Sequence, residues 1–309
     1  MGRRRDVRFE DVARQYLERH ARPKKRSWRE DERILEHDVL PRWRTRPARG
    51  VRPRDVRRLL DTIVDRGAPI QANRTFALLR RVFNWAAAPD RALVPHAHNP
   101  CRGLERPAPE RQRERVLSPD ELRALWRALD AENTSTAALF RLALLTGQRD
   151  GELRTMTWTD VDLVAGWWTI PAERAKNGRA HRVPLSPTAI GVLRRLHEAR
   201  TSRWVFPSAR GSASGHRDRV YKAVHRLRRA SAVVDFTPHD LRRTVASHMT
   251  SMGIARLTVS KLLNHVERGV TAVYDRYGYD REKEEAVVLW ARRLEEIVAG
   301  GRGVIGFRA

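Results

Sequence analysis

The sequence predicts a mainly α-helical protein with one small antiparallel β-sheet, an α+β fold class, divided into two domains. Apolar residues recur at three- and four-residue spacing through most of the chain, which is typical of amphipathic helices. Residues 158–185 are the one stretch in which short apolar runs alternate with turn residues, as in a sheet. A length of 309 residues favours two domains over one.

The first hundred residues predict four short helices with basic outer faces. The first carries an apolar stripe from Phe9 to Leu17. The second is expected over Trp28 to Val39 and should be stopped by Pro41, because proline disrupts a helix interior. The third begins near Pro53, since proline suits a first helical turn, and the fourth spans Phe76 to Trp85. Together they predict a small helical bundle.

A change in composition marks the boundary between the domains. Pro107, Pro109 and the charged run that follows predict an exposed linker over residues 106–115. The predicted domains are therefore residues 1–105 and residues 116–309.

The second domain should be helical around a three-stranded meander. Ser118-Pro119-Asp120-Glu121 has the N-cap, the proline and the acidic first turn of a helix start. A buried helix over Leu139 to Leu145 should end at Thr146-Gly147. Amphipathic residues Glu282 to Val298 predict a C-terminal helix suited to docking on a neighbouring protomer. The expected strands are Trp158 to Leu163, Trp167 to Ile170 and His181 to Leu185.

The charge balance points to nucleic acid. Lys and Arg number 62 against 37 Asp and Glu, a net charge of +25, and the basic residues run through both halves. Such a field attracts a polyanion, and DNA or RNA is the first candidate, ahead of a merely soluble basic protein or one that meets anionic lipid. The sequence contains no run of 18 apolar residues, the length needed to span a bilayer. Arg3-Arg4-Arg5 precedes a charged helix rather than the apolar segment of a signal sequence. The single Cys101 rules out an internal disulfide and suits a reducing cytosol.

Three short motifs carry candidate catalytic cations. Arg149 follows a Thr-Gly turn and lies three residues before Glu152, which could hold its guanidinium; a surface ion pair is the alternative. Lys176 is expected at the tip of the second β-hairpin, as a solvated lysine or as a general acid. His239 and Arg242 follow Pro238 on one face of a helix N-terminus, a place that favours anions.

The last motif supplies a candidate nucleophile. His265 ends an apolar helix, as a capping residue or as a site residue, and Tyr274 follows nine residues later. Tyr277 and Tyr279 are rival nucleophiles. Arginines match phosphate oxygens bidentately, so a tyrosine among them predicts attack on a phosphodiester. The sequence offers no tight cluster of Asp and Glu residues of the kind that holds two magnesium ions, which favours a metal-free reaction.

These motifs, in this order and spacing, resemble the tyrosine recombinases of the lambda-integrase superfamily, most closely the integrases of temperate phages and integrative elements. The resemblance covers nearly the whole chain: residues 1–105 are similar to a core-binding domain and residues 116–309 to the catalytic domain. It implies that Arg149, Lys176, His239, Arg242 and His265 are catalytic, that Tyr274 is the nucleophile and that Glu152 supports Arg149.

The resemblance implies site-specific recombination of double-stranded DNA through a 3′-phosphotyrosyl intermediate, without ATP, metal or another cofactor. It implies a homo-tetramer on two DNA recombination sites, allows accessory DNA-bending proteins, and places the enzyme in the cytoplasm of a bacterial host. A type IB topoisomerase-like activity, a non-cleaving DNA-binding protein of the same fold and, last, a magnesium nuclease are the alternatives.

The chain departs from the family pattern in two respects. Asn264 stands where the family usually has glycine before the last histidine; because asparagine tolerates left-handed backbone, we expect a small effect. Many phage integrases also carry an N-terminal arm-site-binding domain, and we expect no counterpart in this sequence.

Overall fold

The computed structural model describes residues 7–96, 98–110, 113–208, 215–217, 219–265 and 277–300. The chain divides into two compact units, Met1–Gln112 and Arg113–Ala309. The mainly helical α+β fold class predicted from the sequence is confirmed in the described residues. None of the helices among these residues is both long and apolar enough to cross a membrane.

The N-terminal unit is helical through most of residues 9–86, and its described residues from 87 to 110 form turns and irregular backbone. The α-helices are α1 (Phe9–Tyr16), α2 (Arg22–Lys24), α3 (Trp28–Ile34), α4 (Leu40–Trp43), α5 (Pro53–Asp65) and α6 (Pro69–Ala86), with π-helical turns at Leu17–Ala21 and Leu35–Val39 and a 3₁₀ turn at Ala48–Gly50.

The prediction that Pro41 stops the second helix is wrong. The π-helical turn Leu35–Val39 lies between α3 and α4, and Pro41 sits in the first turn of α4. Proline is tolerated in a first turn because the N–H that it lacks would have no intrahelical partner there. The wider turn before it thus lets the chain continue as helix to Trp43.

Aromatic side chains form the core of this unit. The ring of Phe9 lies 5.3 Å from that of Trp43 and 5.7 Å from that of Phe83, which joins α1 to α4 and α6. Tyr16 packs edge-on against Trp85 at 5.7 Å. All five side chains are buried, so the apolar stripes predicted from the sequence face one another.

The C-terminal unit contains the sheet and the remaining helices. These are α7 (Pro119–Ala128), α8 (Thr134–Thr146), α9 (Asp150–Arg154), α10 (Pro187–Glu198), α11 (Tyr221–Ser231), α12 (Pro238–Ser251), α13 (Arg256–Leu262) and α14 (Asp280–Ala299), with 3₁₀ turns at Leu129–Ala131 and Trp158–Asp160. The strands are β1 (Val161–Asp162), β2 (Trp167–Ile170) and β3 (His181–Pro184), antiparallel in the order β1-β2-β3.

The connection between β2 and β3 is the ten-residue segment that the predicted strand bounds left between them. Trp168 pairs with Val183 and Ile170 with His181, and pairing ends there. Lys176 therefore lies in a loop of residues 171–180 that joins the two strands, as predicted. A loop of this length needs contacts from elsewhere in the unit to hold a single conformation.

Helix α8 is the centre of this unit. Ten of its 13 residues are buried, which is typical of a central helix, and α9, α10, α12 and α14 pack against it. Trp290 of α14 is fully buried, and its indole N–H donates to the carbonyl of Leu144 at 2.7 Å. The apolar face of α14 thus belongs to its own unit, while Leu289 stays 48% exposed. Docking of α14 on a neighbour stays a prediction.

Candidate active site

The end of α8 sets the position of the first arginine. Gly147 caps α8 in the left-handed region, at φ +66°. A Cβ there would lie 3.0 Å from Leu263 Cδ2 and 3.1 Å from Val245 Cγ1, so both the backbone conformation and the packing require glycine. The sharp turn brings Arg149 to the N-cap of α9.

Glu152 braces two of the predicted site residues. Its Oε1 accepts a hydrogen bond from Arg149 Nη1 at 2.9 Å and another from the backbone N–H of Lys176 at 3.2 Å. Glu152 is only 4% exposed, so this is not the exposed ion pair that the sequence left open. The carboxylate therefore orients Arg149 and holds the loop that carries Lys176.

Arg242 is a buried cation that donates hydrogen bonds to two carbonyl groups. It projects from the first turns of α12 and is 3% exposed. Nη1 donates to the carbonyl of Gly147 at 3.1 Å, and Nη2 donates to that of Leu263. Burial first, and then the charge of Arg149, lower the pKa of Arg242 to about 9. The guanidinium of Arg242 stays charged at neutral pH, and an anion bound beside it would stabilise this charged form.

The two predicted histidines lie at the exposed edge of this cluster. Partial desolvation lowers the pKa of His239, and the charges of Arg243 and Arg242 lower it further. Desolvation likewise lowers the pKa of His265, followed by the charges of Arg242 and Arg149. The lowered pKa values favour the neutral form of both rings, which is the form that can accept a proton.

The turn that presents His265 has a Schellman geometry. The N–H of His265 donates to the carbonyl of Ser260 at 3.0 Å, and that of Asn264 to Lys261 at 3.1 Å. Asn264 has φ +51°, the left-handed conformation that the sequence predicted asparagine would tolerate in place of glycine.

Two further residues of the cluster escaped the sequence analysis. The His181 ring is buried at the start of β3 and donates from Nε2 to the carbonyl of Leu262 at 2.8 Å. Gln148 Nε2 donates to the same carbonyl at 2.9 Å. Together with Arg242 on Leu263, they satisfy carbonyls that the end of α13 leaves without helical partners. The sequence held one signal for each residue: Gln148 directly precedes Arg149, and His181 is the first residue of the predicted third strand.

The candidate tyrosines are placed less completely. Tyr274 lies outside the described residues, so its assignment as nucleophile stays a prediction. Its rivals are described: Tyr277 is 58% exposed, and Tyr279 precedes α14 with its ring 4.9 Å from Lys261 Nζ. Lys176 is exposed, and its side chain faces solvent beside the cluster.

Sequence comparison identifies the family. Residues 115–281 match the phage integrase family and residues 9–104 the phage integrase central domain. Prophage integrase IntZ of Escherichia coli (strain K12) is 28% identical over 271 residues, covering 86% of this chain and 65% of that protein. The shufflon-specific DNA recombinase of Escherichia coli is 30% identical over 224 residues, covering 70% of this chain and 55% of that protein.

Solved structures show the same fold. A lambda integrase dimer bound to a COC' core site superposes with a TM-score of 0.68 at 19% identity, over 84% of this chain and 96% of the other. The Tn1549 transposon integrase in complex with circular intermediate DNA gives 0.64 at 14% identity, over 90% of this chain and 98% of the other. The chain spans 65% and 60% of the two prophage integrases IntZ and IntA. Because the match to the phage integrase family covers residues 115–281, more than half of the sequence, the chain belongs to that family.

Proposed function

We propose that this chain is a tyrosine-type site-specific DNA recombinase, an integrase that cleaves and rejoins DNA strands through a 3′-phosphotyrosyl intermediate. One observation carries the proposal: Arg242 is buried and hydrogen-bonded to backbone carbonyls, and beside it Arg149 is held by the carboxylate of Glu152. Glu152 pairs directly with Arg149 alone and acts on Arg242 only through its charge, so the cluster keeps an excess of positive charge. A phosphodiester group is the ligand that such a cluster complements best.

Each side chain then has a role in one phosphoryl transfer. Arg149, Arg242 and His265 bind the non-bridging oxygens and stabilise the charge of the transition state. The Tyr274 oxygen bonds to phosphorus as the bond to the 5′-oxygen breaks. The phenolic proton passes to the neutral His239, and the Lys176 ammonium gives a proton to the departing 5′-oxygen. Attack by a 5′-hydroxyl of a partner duplex reverses these transfers and rejoins the strand.

This reaction takes its charge stabilisation from side chains, which supports activity without ATP or metal. Among the described residues, no group of three His, Cys, Asp or Glu side chains is arranged to hold a metal ion. We therefore expect strand cleavage to persist in excess EDTA. Activity that EDTA abolishes and magnesium restores would contradict the mechanism and favour a nuclease.

The same proposal covers partners and domains. Residues 1–105 bind double-stranded DNA, residues 116–309 carry the chemistry, and residues 106–115 link them. A homo-tetramer on two recombination sites performs strand exchange; a lambda integrase tetramer bound to a Holliday junction has this fold, at a TM-score of 0.67. Support for a DNA partner also comes from the net charge of +25.

A nicked suicide duplex tests the chemistry, because loss of a short 3′-terminal fragment traps the covalent protein–DNA adduct. Wild type should accumulate adduct, and Tyr274→Phe should form none while binding DNA normally, because only a hydroxyl group is removed. Tyr277→Phe and Tyr279→Phe are matched controls and should retain the adduct. If one of them abolishes it while Tyr274→Phe does not, the nucleophile is misassigned. Binding without any wild-type adduct would favour the non-cleaving alternative.

Religation separates a recombinase from a topoisomerase-like enzyme. Mixed with two intact duplexes that carry recombination sites, a recombinase yields exchanged products with strands from both. An enzyme that only relaxes supercoiled plasmid and never joins strands from different duplexes would favour the type IB topoisomerase-like alternative.

A further inference from the structure

Two asparagines join the Lys176 loop to the His265 turn. Asn177 Nδ2 donates to Asn264 Oδ1 at 2.7 Å and to the carbonyl of Asn264 at 3.2 Å. In return, Asn264 Nδ2 donates to Asn177 Oδ1 at 3.3 Å. We call this reciprocal amide pair the Asn177–Asn264 clasp. It bridges two segments that lie 87 residues apart in sequence.

The clasp lies between two residues of the proposed reaction. Asn177 directly follows Lys176, and Asn264 directly precedes His265. On its other side, Lys176 is held by the bond from its backbone N–H to Glu152. The loop of residues 171–180 is thus fixed immediately before and immediately after the lysine.

The identity of residue 264 supports a dedicated role. Its φ of +51° is a conformation that glycine adopts without steric cost, whereas most other residues are strained there. Glycine would close the Schellman turn equally well but could make no side-chain hydrogen bond. Asparagine is one of the few residues that tolerate this backbone and also supply a donor and an acceptor.

The geometry of the loop explains why a clasp would matter. The Lys176 side chain is exposed, and its flexible four-carbon stem reaches a phosphate only if the backbone below it is fixed. Gly178, at φ +73°, follows the pair, and its N–H donates to the carbonyl of Ala175 at 3.1 Å, a bond within the loop that does not tie the loop to the His265 turn. Proton donation to a leaving oxygen depends steeply on the position of the donor.

We propose that Asn177 and Asn264 are positioning residues that hold Lys176 in register with the turn of His265, so that the ammonium can protonate the departing 5′-oxygen. This inference rests on the proposed function. The clasp forms no bond to DNA; it acts through Lys176. In this chain it also gives a reason for asparagine where the family usually has glycine.

The leaving group separates positioning from general damage. Cleavage rates are measured in a single turnover on the nicked duplex with a normal 5′-oxygen and with a 5′-bridging sulfur, whose thiolate leaves without protonation. Asn177→Ala and Asn264→Gly should each slow cleavage of the oxygen substrate about 10-fold to 100-fold, by misplacing the proton donor. Both should cleave the sulfur substrate at nearly the wild-type rate.

A double-mutant cycle tests the pair itself. If the clasp acts as one unit, the double variant should be no slower than the slower single variant. Glu173→Ala, at an exposed position of the same loop, is the matched control and should cleave both substrates at the wild-type rate. Multiplying effects in the double variant, or equal slowing on oxygen and sulfur, would overturn the proposal.

Hydrogen exchange gives a readout that needs no activity. Amides of residues 171–180 should exchange faster in Asn177→Ala and in Asn264→Gly than in wild type, with no change in α8. Unchanged exchange in that loop would overturn the clasp while leaving the proposed function intact. Conversely, wild type that forms no adduct with either substrate would refute the proposed function, whatever the exchange of the loop.

Discussion

The two units treat buried charge in different ways. In the N-terminal unit, the buried carboxylate of Asp31 accepts a hydrogen bond from Tyr16 at 3.0 Å and pairs with Lys25, with Arg81 at 3.9 Å. In the C-terminal unit, the buried Arg242 is held by two carbonyls, and the nearby carboxylate of Glu152 is hydrogen-bonded to Arg149 instead. One unit neutralises its buried charge; the other keeps a buried cation only partly neutralised.

This difference separates stability from function. A buried ion pair with several partners fixes how helices meet, and breaking it is costly. A buried cation with an incomplete set of counter-charges lowers stability in the absence of a ligand, and its cost is recovered when an anion binds. We therefore expect substitutions at Asp31 to affect folding and substitutions at Arg242 to affect chemistry.

Arg242→Met should have the largest effect, and that effect should be on the rate of DNA cleavage. Removal of one preorganised donor to a transition-state oxyanion should slow single-turnover cleavage by about 100-fold to 1,000-fold. The free energy of unfolding should change by less than about 2 kcal/mol, because relief of a desolvated cation offsets the two carbonyls that lose their donor. A loss of unfolding free energy well above this value, with cleavage intact at saturating protein, would reverse the comparison.

Asp31→Ala should show the opposite pattern. Tyr16 and Lys25 would lose their shared acceptor, and we expect the free energy of unfolding of the N-terminal unit to fall by about 3 kcal/mol. Urea unfolding of the full chain measures this, with the exposed Asp61→Ala as control. Cleavage at saturating DNA and low temperature should match wild type. A chemical defect in the folded Asp31→Ala protein would mean that the two regions are not separable in this way.

The sequence predicted those parts of the site that depend on local signals. The cap at Ser118, the glycine turn at Gly147 and the helix start at Pro238 are each encoded within a few residues, and the structure has all three elements. Helical spacing offered Glu152 as the brace of Arg149 but left a surface ion pair as the alternative, which the burial of Glu152 rules out.

Non-local contacts were beyond the sequence. Capping of α13 by Gln148 and His181 joins residues 114 and 81 positions away from Leu262, and no local pattern encodes such a pairing. The helix that passes Pro41 depends on a π-helical turn that the apolar spacing does not distinguish from an α-helical one. Tyr274 rests on its spacing from His265 and stays a prediction.

His181 predicts a pH dependence of stability that belongs to the C-terminal unit. Burial lowers the pKa of its ring to about 4, against an ordinary value near 6.5 in the unfolded chain. The folded state therefore binds fewer protons than the unfolded state at acid pH, and stability falls as the pH drops from about 6.5 towards 4. At pH 5 this ring alone should cost about 2 kcal/mol relative to pH 7.

His181→Gln removes the titrating ring but keeps a donor for the carbonyl of Leu262. The fall in unfolding free energy between pH 7 and pH 5 should be smaller than in wild type by about 2 kcal/mol. The exposed His225→Gln is the control and should reproduce the wild-type pH profile. An unchanged profile in His181→Gln would assign the acid sensitivity to other groups, such as His239 and His265, whose pKa values are also lowered.

The smallest expected effect is at Arg113, and it tests whether buried carboxylates in the C-terminal unit follow the same rule as Asp31. Asp240 is fully buried and accepts hydrogen bonds from Thr237, from Arg243 Nη1 at 2.7 Å and from Arg113 Nε at 2.7 Å. Because the remaining partners still satisfy the carboxylate, Arg113→Ala should lower the free energy of unfolding by about 1 kcal/mol or less.

Arg243→Ala should lower the free energy of unfolding by a similar amount, whereas the double variant should lower it by more than the sum, since Asp240 then keeps no cationic partner. Urea unfolding measures all three, with the exposed Arg127→Ala as control. Strict additivity would show that the two cations act on Asp240 independently of each other, and the rule drawn from Asp31 would then not extend to the helix that carries Arg242.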